Sequence, residues 1–199
     1  MNAMDQLVID LPVRVRVLNR RRVAALFAIC ASGLRNAALE WDTRWHLGEL
    51  PILDRAVAIA LDYATAAEVS SDIAGLLTRL AAATPPGESR AGVSPTPAQD
   101  SWICADTAIR VIVDEAFDAG PIIEYALQAI VEDATERIYG VSDVGSERED
   151  EAAEDILRDV KVVRAVGFVT TLIEALREAP HLDRQTLCDL ATEAGVLTP

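Results

Sequence analysis

Apolar positions along this chain recur mostly at three- and four-residue spacing, which is the period of helices that bury one face. Val23, Leu26, Phe27, Cys30, Leu34 and Ala38 make one stripe on a first predicted helix from Asn19 to Glu40, with Asn19 as N-cap. Trp41, Trp45 and His46 fall in a connecting segment ending at Gly48. Pro51 then opens a second helix with Leu53, Ala56, Val57, Ala60, Leu61 and Ala64 on one face. A third, predicted from Ala66 to Ala83, carries Val69, Ile73, Leu76, Leu77 and Leu80. A fourth, capped by Asp100 or Ser101, carries Trp102, Ala105, Ile109, Ile112, Val113 and Ala116. Gly120 and Pro121 turn the chain into a fifth, with Ile123, Leu127, Ile130, Ala134 and Ile138 as its stripe and Gly140 as its stop. A sixth, from Asp150 to Ala179, is apolar nearly all round between Val160 and Leu176, so it is expected to be the central, most buried helix. Pro180 ends it, and Asp183 caps a short last helix reaching to about Ala194.

Two stretches leave the helical period. Val13, Val15 and Val17 alternate with Arg14 and Arg16, which predicts a short extended N-terminal arm. Residues 84–99 hold four prolines and two glycines, which predicts a surface loop. The resulting expectation is one all-α domain over residues 1–199, a bundle of six to seven helices plus the arm.

Charge divides the chain at that loop. Residues 1–99 hold ten acids and ten arginines; residues 100–199 hold 22 acids against eight basic residues and carry the whole net charge of −14. A surface this acidic repels phosphate backbones and anionic lipid, so neither nucleic acid nor membrane is an expected partner; a basic protein is. The triple Arg20–Arg22 stands at the wrong end of its helix for the helix dipole and calls for an acidic partner, most simply the C-terminal half of the same chain. Asp106, Arg110 and Asp114, at i, i+4 and i+8, form a ladder that is either an ordinary surface array of ion pairs or that partner.

Candidate chemistry is sparse. Cys30, Cys104 and Cys188 are odd in number, far apart and set among apolar neighbours, so they read as reduced core residues of a cytoplasmic protein. Residues Met1 to Pro12 lack a secretory pattern, and the run Val23 to Leu34 is too short to span a bilayer. His46 and His181 have no metal-ligand spacing around them, and neither a phosphate-cradling glycine loop nor a nucleophile elbow is present, so no cofactor is called for. Carboxylate pairs remain: Glu132 with Glu136, and Glu151 with Glu154 in an E-x-x-E arrangement. Such pairs on two helices could hold a divalent ion, in outline similar to the all-α nucleotide pyrophosphohydrolases. That pattern needs a second E-x-x-D motif, whereas Glu174 here is followed by Arg177.

Arg20 to Tyr63, RRRVAALFAICASGLRNAALEWDTRWHLGELPILDRAVAIALDY, resembles the opening of the bacterial family known as domain of unknown function 416. Asn36 stands for that family's asparagine near the end of a long first helix, and Trp45 with Gly48 resembles its tryptophan–glycine turn. DSWICADTAIRVIVDEA, Asp100 to Ala116, is similar to the family's acidic, Ser/Ala-rich helix start. The resemblance implies an all-α fold and supplies no catalytic site.

The leading expectation is a non-enzymatic cytoplasmic protein, of the immunity or antitoxin kind, that binds a basic partner through an acidic face. Asp114, Asp118, Glu132, Glu136, Asp143, Glu147, Asp150, Glu151, Glu154 and Asp155 would form that face, with Tyr125 or Tyr139 as an aromatic anchor. The alternative is a divalent-metal enzyme or small-ligand binder in which Glu132, Glu136, Glu151 and Glu154 converge. A third reading is self-association, with exposed helix stripes mating across a two-fold axis.

Overall fold

The computed structural model describes residues 3–67, 72–85, 96–140 and 149–197, and among them every regular element is helical. The α-helices are α1 (Ala3–Arg16), α2 (Arg20–Gly33), α3 (Arg35–Trp45), α4 (Leu50–Ala64), α5 (Ile73–Ala83), α6 (Thr96–Val113), α7 (Tyr125–Tyr139), α8 (Glu149–Arg158), α9 (Val160–Glu178) and α10 (Arg184–Glu193). Short 3₁₀ turns over Gly120–Glu124 and Ala194–Leu197 complete them. The all-α expectation holds, but the helices outnumber the six to seven read from the periodicity, because two long predicted helices are each broken in two and the N-terminal arm is itself a helix.

The first break makes the centre of the fold. The helix predicted from Asn19 to Glu40 divides at Leu34, and its halves meet at 53°. Gly33, the last residue of α2, sits at this break and faces the C-terminal end of the chain. A Cβ on Gly33 would lie 2.4 Å from the carbonyl oxygen of Ala194, so only glycine lets the C-terminal 3₁₀ turn close onto the end of α2. Val23 through Ala31 are all buried, and α2 packs against α4, α6 and α10. Asn19 caps it as expected, its side chain accepting from the Arg22 N–H at 3.1 Å.

α2, rather than the stretch from Val160 to Leu176, is therefore the most buried helix. In α9, Val160 is 59% and Val163 52% exposed, while Val162, Ala165, Val169, Leu172, Ile173 and Leu176 face inward. The second break falls just before it. The Asp159 carboxylate accepts from the Lys161 and Val162 N–H groups and starts a new helix, so the predicted helix from Asp150 to Ala179 becomes α8 and α9.

The extended N-terminal arm is also corrected, to helix α1. Leu11, Val15 and Leu18 share one buried face at i, i+4 and i+7, whereas Val13 and Val17 are exposed. Helical burial of one valine in three overrides the apparent alternation. Trp41 and Trp45 likewise belong to a helix, α3, with their rings edge to face at 5.8 Å. Pro51 opens α4 as predicted. The third predicted helix is observed from Ile73 onward; Val69 lies outside the described residues.

The predicted loop over 84–99 is shortened by α6, which starts at Thr96; residues 86–95 lie outside the described residues. Asp100 and Ser101 are not caps. They sit one turn inside α6 and are buried, because each ties the helix to a neighbour. The Ala129 N–H of α7 donates to Asp100 Oδ2 at 3.1 Å, and Ser101 Oγ donates to the Ala31 carbonyl of α2 at 3.0 Å. The predicted stripe of this helix holds as far as Ile109. Val113, at its last residue, is exposed, and Ala116 lies beyond its end and is exposed too. Gly140, in the left-handed region at φ 71°, ends α7, and Asp183 caps α10 through the Thr186 N–H. Along α7 the predicted stripe is buried at Leu127, Ile130 and Ala134, but Ile138 is exposed.

Two of the three arginines find the C-terminal half of the chain, through carbonyls rather than carboxylates, while Arg21 lies over the Tyr63 ring. Arg20 donates to the Val111 and Asp114 carbonyls at the end of α6, and Arg22 to the Ala179 carbonyl at the end of α9 at 2.6 Å. One helix start thus answers the orphan acceptors of two helix ends, and the negative ends of those dipoles offset the misplaced positive charge. Asp106 and Arg110 of the ladder pair with each other.

Cys30 and Cys104 are buried in the core, but Cys188 is exposed on α10, which corrects its placement as a core residue. Burial pushes the Cys30 thiol up to about 12, and burial also raises Cys104. A thiol-specific chromogenic reagent is expected to modify one cysteine in the native protein and all three in denaturant. Rapid loss of all three without denaturant would contradict this packing.

Candidate functional site

The acidic segment read from the sequence is built around α7, which lies along α9 and touches α8. Arg137, near the end of α7, reaches Asp133 one turn back at 2.9 Å and Asp159, the N-cap of α9, at 2.5 Å. Lys161 adds a contact to Asp133 at 3.3 Å. Burial works against the charge on Asp133, but the bonds from Arg137 and Lys161 outweigh it and hold the carboxyl below its usual range. Asp159 is held low first by Arg137, and Arg137 is raised in turn by Asp159 and Asp133.

Across the contact between α7 and α8, the Tyr139 hydroxyl donates to Asp155 Oδ2 at 2.8 Å. Arg158 reaches Glu154 at 3.0 Å and Asp155 at 3.5 Å. Glu132 accepts from Gln128 at 2.9 Å, and Glu136 is exposed. The fold therefore brings Glu154, Asp155 and Tyr139 together beside a carboxylate row on α7. Arg137, Arg158 and Lys161 partly neutralise this surface, against Glu132, Asp133, Glu136, Glu154, Asp155 and Asp159, and it stays net negative.

Other predicted residues fall elsewhere. Asp118 pairs with Arg16 of α1 at 2.7 Å and accepts from the Gly120 N–H at 2.9 Å; the Arg16 bond, then the Gly120 bond, lower its carboxyl. The Asp114 carboxylate accepts from the Ala116 N–H at 2.9 Å within the turn after α6. These contacts tie both acids to α1 and to the turn. Tyr125 and Tyr139 are the first and last residues of α7, so a rise of about 1.5 Å per residue sets them roughly 20 Å apart, and Tyr139 is the one bonded to α8. Asp143 and Glu147 lie outside the described residues, as do the side chains of Asp150 and Glu151. Among the described residues no group of three His, Cys, Asp or Glu side chains is placed to hold a metal ion.

Sequence reasoning missed Asp100 as a buried group. Burial, then the charge of nearby Glu132, pushes its carboxyl up to about 8, against one lowering bond from the Ala129 N–H. The signal was present: Asp100 is in helical register with Cys104, Thr107 and Val111, all buried.

This arrangement of helices defines a known type of all-α protein. The chain resembles, in fold, a DUF416 family protein from Shewanella baltica OS155, with a TM-score of 0.73, 16% sequence identity and 92% of each chain covered. No protein-family model and no curated protein matches the sequence. No single described helix is long and apolar enough to cross a membrane; the bent pair α2–α3 reaches the length and composition for it, but α2 is buried within the fold.

Proposed function

We propose that this protein acts by binding a basic protein partner through the acidic surface of α7 and α8, in the manner of a cytoplasmic immunity or antitoxin-like protein. The observation that carries the reading is the charge asymmetry, with the whole net charge of −14 in residues 100–199. Support comes from the Tyr139 hydroxyl, which donates to Asp155 and ties the end of α7 to the acidic helix α8. Toxins that act on nucleic acids tend to be basic, and a surface of this sign steers their approach.

The test is capture at low salt, identification of the captured protein, and kinetics of the purified pair. Glu136→Lys combined with Glu154→Lys is expected to slow association by about tenfold at low salt and to flatten its salt dependence. Glu40→Lys, on α3 in the neutral half, is expected to leave both nearly unchanged. Equal association rates and salt slopes for the wild type and the double variant would reject the reading.

A further inference from the structure

Away from the acidic surface, a cleft of about 320 Å³ opens between the start of α2, the end of α4 and the segment joining α9 to α10. Its polar side chains are Asn19, Arg21, Arg22, Thr65 and His181, and among the described residues no Asp or Glu lines it. The acids adjoining these elements are turned to other work. Asp62 pairs with Arg184, and Asp183 is taken up by the Thr186 N–H and hydroxyl. The carbonyls at the two helix ends here are also answered. Ala66 and Ala67 N–H groups donate back to Tyr63 and Asp62 at the end of α4, and Arg22 holds Ala179 at the end of α9. Arg21 is exposed and lies over the Tyr63 ring at 5.7 Å, and no described carboxylate pairs with either Arg21 or Arg22. Ala66 forms part of the wall in the left-handed region, φ 64°, a strained position for a residue with a Cβ.

We propose that this cleft binds the phosphate group of a small phosphorylated molecule. The Thr65 hydroxyl is spent on the Asp62 carbonyl, but the Arg21 guanidinium, the remaining N–H groups of Arg22 and the His181 imidazole offer donors that suit the three oxygens of a phosphomonoester dianion. The start of α2 adds the positive end of its dipole. The volume exceeds what one phosphate fills and lies at the small end of the range for organic ligands, roughly 300–1,000 Å³.

Thermal unfolding with inorganic phosphate and with glycerol 3-phosphate, against sodium chloride and acetate at equal ionic strength, tests this. The wild type is expected to gain on the order of 5 °C in Tm near saturation with glycerol 3-phosphate, less with inorganic phosphate, and nothing specific with chloride or acetate. Arg21→Gln, whose side chain touches only the Tyr63 ring, is expected to fold and to weaken binding about tenfold or more. His181→Gln, also at an exposed position, gives a second reading if the first variant unfolds. Arg79→Gln, on α5 outside the cleft, is expected to bind as the wild type does. The proposal is overturned if chloride stabilises as well as the phosphates do, if acetate matches them, or if both cleft variants retain the full shift.

Discussion

Gly33→Ala is expected to cost about 3 kcal/mol or more, enough to unfold a domain of ordinary stability on modest warming. The new methyl group would meet the Ala194 carbonyl oxygen at 2.4 Å and its carbonyl carbon at 2.9 Å. Both are backbone atoms, so no flexible side chain can swing aside. Either the 3₁₀ turn over Ala194–Leu197 lifts off, exposing Leu197 and the end of α2, or α2 bends further and disturbs its contact with α6. Urea unfolding measures the loss directly. The same substitution at Gly167, in the exposed face of α9 with nothing within 4 Å, is expected to stabilise by about 0.5–1 kcal/mol through helix propensity. If both glycine variants behaved alike, the close approach at Ala194 would not be the cause.

The second large effect is a dependence on pH carried by Asp100. Its folded-state value near 8 lies above the ordinary value of 3.8, so the folded protein holds this proton more tightly than the unfolded chain. The stabilisation from keeping the group neutral is full below about pH 4 and is lost as pH rises through about 8. Integrated over that window it amounts to at most about 6 kcal/mol. Asp100→Asn keeps an oxygen for the Ala129 N–H and removes the charge. The variant is expected to unfold with a flatter dependence on pH between 5 and 8, and to exceed the wild type in stability at pH 8. Parallel stability–pH curves for the two proteins would show that Asp100 does not titrate in this range.

These two residues also show how far the sequence could be read. Helical period located the buried faces of α4 and α7 and the caps Asn19, Gly140 and Asp183, because each is a local property of a few neighbouring residues. The break at Leu34 was not legible, since the apolar stripe runs through it unbroken, and the neighbour that needs Gly33 there is more than 150 residues away. Asp100 passed for a cap because Asp and Ser beside a proline-rich stretch have that composition; their true partners, Ala129 and Ala31, belong to other helices. α1 was hidden by a two-residue alternation that also fits a helix when only one of the three valines, Val15, is buried with Leu11 one turn before it. For the acidic surface, composition gave the sign of the charge. It could not show that Arg137 and Arg158 cross-link the carboxylates, because which cations fall between them is decided by how α7, α8 and α9 pack.

The reliance of α2 on a segment near residue 194 has a consequence for synthesis. At a translation rate of about 5–20 residues per second, roughly ten to thirty seconds separate the emergence of Gly33 from that of the turn that closes on it. Through that interval the most buried helix of the protein has no completed cover, and its other partners, α4 and α6, arrive one after the other. Apolar surface left open in an incomplete chain is prone to aggregate, so the last few residues to be made decide when the core of this fold is sealed.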